Sequence, residues 1–273
     1  MAQPPGFIDT DKPTHVCKLH KAIYGLKQAP RAWYHELRQF LVDSRFKNSH
    51  SDISLFILHT GTNILYLLVY VDDIIITGNS NDLVSQVVEC LAQRFSLKDL
   101  GPLSYFLGVE VVPYRHGLLL SQRRYIKDLL TWTNLQAAKP IHTPLPTNSS
   151  SIKLSFGSPF FDPTEYRIVV GSLQYLSLTH PDISFAIKKM SQFMHQPTDE
   201  HWTLVKRILR YLSGTVDDDL LLHCTSPLSL PALSDSIHVF LDADWVGNKD
   251  DYSSTGAYLV YLGSNLISWS SEK

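Results

Sequence analysis

From Asn63 an apolar run, Ile64-Leu65-Tyr66-Leu67-Leu68-Val69-Tyr70-Val71, meets two adjacent carboxylates, Asp72 and Asp73, and a second apolar run, Ile74-Ile75-Ile76-Thr77, follows at once. Runs rich in β-branched and aromatic residues, apolar on both faces, predict buried strands rather than a half-exposed pair, and the gap is too short for a crossover helix. The strands are expected to form a hairpin with the aspartates at its tip. Upstream, Ala29 to Val42 puts Ala32, Trp33, Leu37, Phe40 and Leu41 at helical spacing, with Pro30 in the first turn, where its missing N–H costs nothing. Downstream, Asn81 to Phe95 repeats the spacing with Leu83, Val87, Val88 and Leu91, and a strand-like Tyr105 to Val112 follows. Helix, hairpin, helix, strand describes an α+β layer, an antiparallel sheet with helices on one face.

A further helix is predicted near Gln122 to Thr131. Pro140 to Pro163, rich in Pro, Ser and Thr, reads as a linker and the main domain boundary. Beyond it the pattern is mostly helical. Asp182 to His195 places Ile183, Ala186, Ile187 and Met190 on one face, and Thr198 offers an N-cap to a helix whose stripe, Trp202, Val205, Ile208, Leu209 and Leu212, closes at Gly214. The two are expected to form a helical hairpin. After the polar segment Thr225 to Ser236, strands resume at Ile237 to Leu241 and Ala257 to Leu262.

Composition adds little until charge is followed along the chain. Residues 1 to 150 carry 15 Lys and Arg against 12 Asp and Glu, whereas residues 151 to 273 carry 9 against 14, so the overall charge of -2 conceals a basic first part. Eight basic residues fall between Lys12 and Lys47, with only Glu36 and Asp43 opposing them. That stretch suits phosphate, or equally a solvated helix face. Cys17, Cys90 and Cys224 are far apart and odd in number, which predicts reduced thiols. No apolar run approaches a membrane span and the first residues lack the pattern of a signal peptide, so the expectation is a soluble intracellular protein, cytoplasmic or nuclear.

Adjacent aspartates at a hairpin tip repel one another and raise each other's pKa. A divalent cation resolves this: Mg2+ prefers hard oxygen ligands, needs one or two protein carboxylates, and completes its shell with water and substrate phosphates. Such a layout suits two-metal nucleotidyl transfer. Two other readings stay open here, ordinary turn aspartates and the acidic cluster of a phospho-accepting signalling domain, which requires a parallel sheet.

Tyr70-Val71-Asp72-Asp73 between apolar strands resembles the polymerase signature of reverse transcriptases. The longer string Ala22-Ile23-Tyr24-Gly25-Leu26-Lys27-Gln28-Ala29-Pro30-Arg31-Ala32-Trp33-Tyr34 resembles the nucleotide- and template-positioning motif of the copia-type retrotransposon enzymes. Family order continues with Phe95-Ser96-Leu97-Lys98-Asp99-Leu100-Gly101, Tyr105-Phe106-Leu107-Gly108-Val109-Glu110, similar to the primer grip, and Leu120 to Ile126, similar to the thumb. Leu241-Asp242-Ala243-Asp244-Trp245, with Tyr252 to Gly256 and Ile267 to Ser270, resembles the opening of the copia ribonuclease H domain.

The resemblance implies catalytic, metal-holding Asp72 and Asp73; nucleotide or template contacts from Tyr70, Lys27, Gln28, Arg31 and Lys98; a primer grip at Phe106, Leu107 and Gly108; and Asp242 as the first ribonuclease H aspartate. It implies Mg2+ as cofactor. The implied partners are an RNA or DNA template-primer, deoxynucleoside triphosphates and the remainder of a Pol polyprotein, with no membrane. It divides the chain into a partial palm at 1–114, a thumb-like segment at 115–148, a helical connection at 149–224 and a truncated ribonuclease H-like β start at 225–273. By the same resemblance the first polymerase aspartate and most ribonuclease H ligands lie outside the chain, so negligible polymerase activity is expected of it alone. The alternative is a non-catalytic retroelement remnant with residual nucleic-acid affinity through Lys12 to Lys47.

Overall fold

The computed structural model describes residues 2–19, 23, 25–146, 157–224, 237–243 and 254–272. It divides into two compact units, Met1–Pro102 and Leu103–Lys273. All strand pairings among the described residues are antiparallel.

In the first unit, β1 (Lys47–Asn48), β2 (Leu55–Thr60), β3 (Asn63–Tyr70) and β4 (Asp73–Gly78) form one sheet in sequence order. Helices α1 (Ala29–Asp43) and α2 (Asn81–Phe95) flank the strands in sequence, as the spacing predicts. Leu65, Leu67 and Val69 of β3 are buried in one cluster with Leu37 and Leu41 of α1 and Leu91 of α2. Fully burying each such side chain is worth about 1.5–3 kcal/mol. The alternate residues Tyr66 and Tyr70 are exposed. The expectation of strands buried on both faces is therefore corrected. Both helices pack on one face, and strand alternation sends Tyr66, Leu68 and Tyr70 to the other.

The helix ends are locally encoded. After α1, Arg45 takes a left-handed φ of 70, and Arg45 N–H donates to Val42 O while Phe46 N–H donates to Leu41 O. This two-bond closure leads the chain into β1 and buries Phe46. At α2, the Ser80 hydroxyl accepts from Leu83 N–H, satisfying one of the open donors of the first turn.

The second unit contains a sheet of β5 (Tyr105–Phe106), β6 (Val109–Tyr114), β7 (Gly117–Ser121) and β8 (Leu220–His223), and another of β9 (Ile237–Ala243), β10 (Gly256–Leu262) and β11 (Asn265–Glu272) in the order β11-β10-β9. Its helices are α3 (Arg123–Trp132), α4 (Pro163–Leu176), α5 (Ser184–Ser191) and α6 (Asp199–Gly214). The single strand expected over Tyr105 to Val112 is broken: Leu107 and Gly108, with φ of 46 and 71, turn β5 back on β6. The helix expected from Asp182 to His195 begins as a 3-10 turn, Pro181–Ile183, and its α-helical part closes at Ser191. Beyond that point Phe193 N–H donates to Met190 O, the tighter spacing of a fraying end.

The expected boundary at Pro140 to Pro163 separates no cores. Ile126, Leu129 and Leu130 of α3 share one buried cluster with α4 and α6 residues such as Val169, Leu173, Ile208 and Leu212. Arg207 and Arg210 of α6 donate to the carbonyls of Thr143 and Lys139, tying the connecting segment down. Residues 147–156 of that segment, and Thr225 to Ser236, lie outside the described residues. In α6, Thr198 and His201 form the reciprocal cap, Thr198 Oγ1 accepting from His201 N–H and His201 Nδ1 from Thr198 N–H.

Within this core Tyr166 is fully buried and donates to Met190 O at 2.9 Å; burial pushes its phenol well above the usual range. Tyr211 donates to Asp182 Oδ2 at 2.7 Å, and the His180 imidazole stands 3.7 Å from Oδ1. Burial opposes ionising Asp182, but these two partners outweigh it and hold the carboxyl below the usual carboxylate range.

Candidate functional site

At the far end of the β3–β4 hairpin, Tyr70 pairs with Asp73 and only Val71 and Asp72 make the turn. The antiparallel pairing excludes the phospho-acceptor reading, which needs parallel strands. Tyr70, Asp72 and Asp73 are all exposed. Val71 has φ 51, a left-handed backbone that β-branched residues rarely adopt. Among the described residues no hydrogen bond or ion pair engages either aspartate side chain, and no third His, Cys, Asp or Glu joins them in a ligating cluster. Two adjacent carboxylates with free oxygens fit a hard divalent cation that draws its other ligands from water and phosphate.

The basic motif begins α1. Gly25, with φ 89, and the turn closed by Ala29 N–H donating to Leu26 O lead to Gln28 at the N-cap. Lys27, Gln28 and Arg31 are exposed there, beside amides that the helix leaves open. Ala22 and Tyr24 of the motif lie outside the described residues. Two backbone carbonyls connect this helix start with the hairpin. Tyr34 donates its hydroxyl to Ile53 O at 2.7 Å, and Val69 N–H donates to Ser54 O at 2.9 Å. Ile53 and Ser54 are neighbours at the mouth of β2, so the helix start and the aspartate tip belong to the same end of the sheet. The nearby Asp52 is engaged by the hydroxyl and amide of Ser54, which hold its carboxyl below the usual range.

The remaining predicted residues lie on other elements of the chain. Lys98 is exposed in the segment after α2, where Asp99 Oδ1 accepts from Gly101 N–H, and no hydrogen bond among the described residues joins it to the tip. Phe106 ends β5, and Leu107 and Gly108 form the β5–β6 turn of the second unit. Asp242 is exposed on β9, opposite Ala257 of β10; Asp244, Trp245, Tyr252 and Ser253 lie outside the described residues. The anchoring of Ile53 and Ser54 had no sequence signal, because it uses backbone carbonyls. A stripe of Arg31, His35 and Arg38 along α1 was readable from i, i+4, i+7 spacing.

With this arrangement in view, the family model described as reverse transcriptase (RNA-dependent DNA polymerase) matches residues 1–147. The chain belongs to this family. Its similarity is to copia-type Pol polyproteins: it is 55% identical over 273 residues to the retrovirus-related Pol polyprotein from transposon RE2 of Arabidopsis thaliana, covering all of this chain and 18% of that protein. It is 37% identical to the corresponding polyprotein from transposon TNT 1-94 of Nicotiana tabacum, covering 21% of it. A putative transposon Ty5-1 protein of Saccharomyces cerevisiae is 32% identical, with 99% of this chain and 86% of that protein covered. The reverse transcriptase chain thus spans about a fifth of the length of the Arabidopsis polyprotein. No solved structure matches it. Among the described residues no helix is long and apolar enough to cross a membrane.

Proposed function

We propose that this chain carries the metal-holding tip and part of the nucleotide and template path of an RNA-directed DNA polymerase, acting within a longer Pol polyprotein inside the cell. The observation supporting this is the position of Asp72 and Asp73 on a two-residue antiparallel turn, at the sheet end where the basic start of α1 is anchored. Asp72 and Asp73 hold Mg2+. Bound there, a pair of such ions would supply the charge neutralisation that the attacking 3′-oxygen and the departing pyrophosphate need. Lys27 and Arg31 donate charge-assisted hydrogen bonds to phosphate oxygens, and Gln28 orients the nucleotide or template at the helix mouth. Tyr70 contacts the nucleotide or template beside the aspartates, and Lys98 offsets charge on the leaving group. Phe106, Leu107 and Gly108 grip the primer, and Asp242 serves a ribonuclease H site.

With no third ligand beside these two carboxylates among the described residues, a divalent cation is held weakly, and we expect primer extension by the 273-residue chain itself to be negligible. Robust incorporation of deoxynucleotides by it overturns that expectation. The decisive test of the site is Asp72→Asn in the complete polyprotein. Magnesium-dependent extension of a primer should fall by about 100-fold or more, the scale on which losing one transition-state charge interaction is felt. Unchanged extension overturns the assignment.

A further inference from the structure

We propose that a groove on the outer face of α1 is a track for single-stranded template, in which Arg31, His35 and Arg38 hold phosphates while Ala32 and Tyr34 receive sugars and bases. This rests on the polymerase reading, and adds His35 and Arg38 to the surface that reading uses. The groove has a volume of about 490 Å³ and is lined by Gln28, Arg31, Ala32, Tyr34, His35 and Arg38. Its three basic side chains follow one another at i, i+4 and i+7, and all are exposed. None forms a hydrogen bond or ion pair with a described residue, so their donors are available to a polyanion.

The two carboxylates of α1 do not oppose them. At about 100° per residue, Glu36 and Asp43 fall roughly a third of a turn from the line of Arg31, His35 and Arg38, on the Ala32 side of the groove, and Asp43 accepts from Gln39 at 2.9 Å. The floor is set in place as well. The hydroxyl of Tyr34 is used on Ile53 O at 2.7 Å, which fixes the ring as it lines the groove. A fixed aromatic beside a line of phosphate-binding donors is the combination by which single strands are held without sequence preference. From Arg31 to Arg38 the helix rises about 10 Å, room for about three stacked nucleotides at ~3.4 Å each along one strand. The stripe starts at the sheet end carrying the aspartates and runs away from it along α1, the course of a template not yet paired.

The test uses the whole chain and a fluorescently labelled 12-nucleotide single strand, with binding followed by anisotropy in EDTA so that no metal at Asp72 and Asp73 contributes. His35→Ala combined with Arg38→Gln should weaken binding five- to tenfold and flatten the log–log salt dependence by about 0.7 for each phosphate that is no longer neutralised. Arg38→Lys alone should keep the wild-type slope, and an unaltered melting midpoint shows that the double variant folds. A blunt duplex of the same length should bind both proteins alike. If the double variant holds the single strand as the wild type does, the track is overturned and the polymerase reading stands. Equal weakening toward the duplex also overturns the track, in favour of a duplex-backbone surface. A wild-type chain that binds neither the single strand nor a primer-template overturns both.

Discussion

Two hairpins of the molecule use the same backbone device in opposite surroundings. β3 reverses into β4 through Val71 and Asp72, and β5 reverses into β6 through Leu107 and Gly108, each with a non-glycine in the left-handed region, at φ 51 and 46. The second turn is held by packing: a Cβ added at Gly108 would lie 2.6 Å from the hydroxyl oxygen of Tyr175. In the first turn Val71 is 65% exposed and both aspartates are exposed. A left-handed β-branched residue costs about 1–2 kcal/mol. Where packing offsets that cost the turn is explained by stability. At the exposed first turn, the proposed presentation of the two carboxylates would give the shape its use.

The two tips should differ most in activity. Asp72→Asn, which should remove nearly all extension by the complete enzyme, should leave thermal unfolding of this chain almost unchanged, within about 0.5 kcal/mol, as exposed substitutions usually do. A large loss of stability would instead make the first tip a structural turn like the second.

Gly108→Ala tests the other tip and should behave in the opposite way. Its positive φ of 71 and the near approach to Tyr175 should together destabilise the second unit by about 2–3 kcal/mol, measured by denaturant melting. In a Tyr175→Phe background, which removes the nearest atom, the same change should cost less, and the shortfall measures the steric clash directly. Equal costs in both backgrounds would place the whole effect in the backbone.

A smaller effect separates the units by pH. Asp182 has its carboxyl held below the usual range despite burial, by His180 and Tyr211. Its ionised form is therefore favoured more in the folded chain than in the unfolded one. That contribution is complete above the ordinary carboxylate range and disappears as pH falls through the lowered value. Tyr211→Phe should make acid unfolding of the second unit less steep. An unaltered acid profile would show that the Asp182 hydrogen bond contributes nothing to stability.

Much of this contrast was legible beforehand, and the exceptions have physical causes. Helices α1, α2 and α6 and the aspartate hairpin were readable because period, Pro30, Thr198 and the run of apolar residues are local signals. β8 was not, since Leu220–His223 gains strand form only by pairing with β7, about a hundred residues earlier. The Leu107 turn was hidden because leucine does not advertise a left-handed backbone. Placing α3 with α4 and α6 required knowing that the Pro-rich segment is fastened by Arg207 and Arg210, which composition cannot reveal. At the site, the carboxylates and the basic motif were legible as residues, but their common sheet end depends on the carbonyls of Ile53 and Ser54.

The finest discrimination between the tips comes from Val71→Gly. Glycine adopts the observed φ without steric cost, yet it also widens the unfolded ensemble, so relief of about 1–2 kcal/mol is offset by roughly 0.5–1 kcal/mol of lost entropy. Net stabilisation of the first unit should be about 0–1.5 kcal/mol, read as a small rise in melting midpoint. In the complete enzyme the same change should lower primer extension, because a glycine turn presents Asp72 and Asp73 in a wider range of orientations. Higher stability with lower activity is the signature of strain kept for presentation. If stability and activity instead rise together, the shape of this turn has no functional use, and the distinction between the two hairpins disappears.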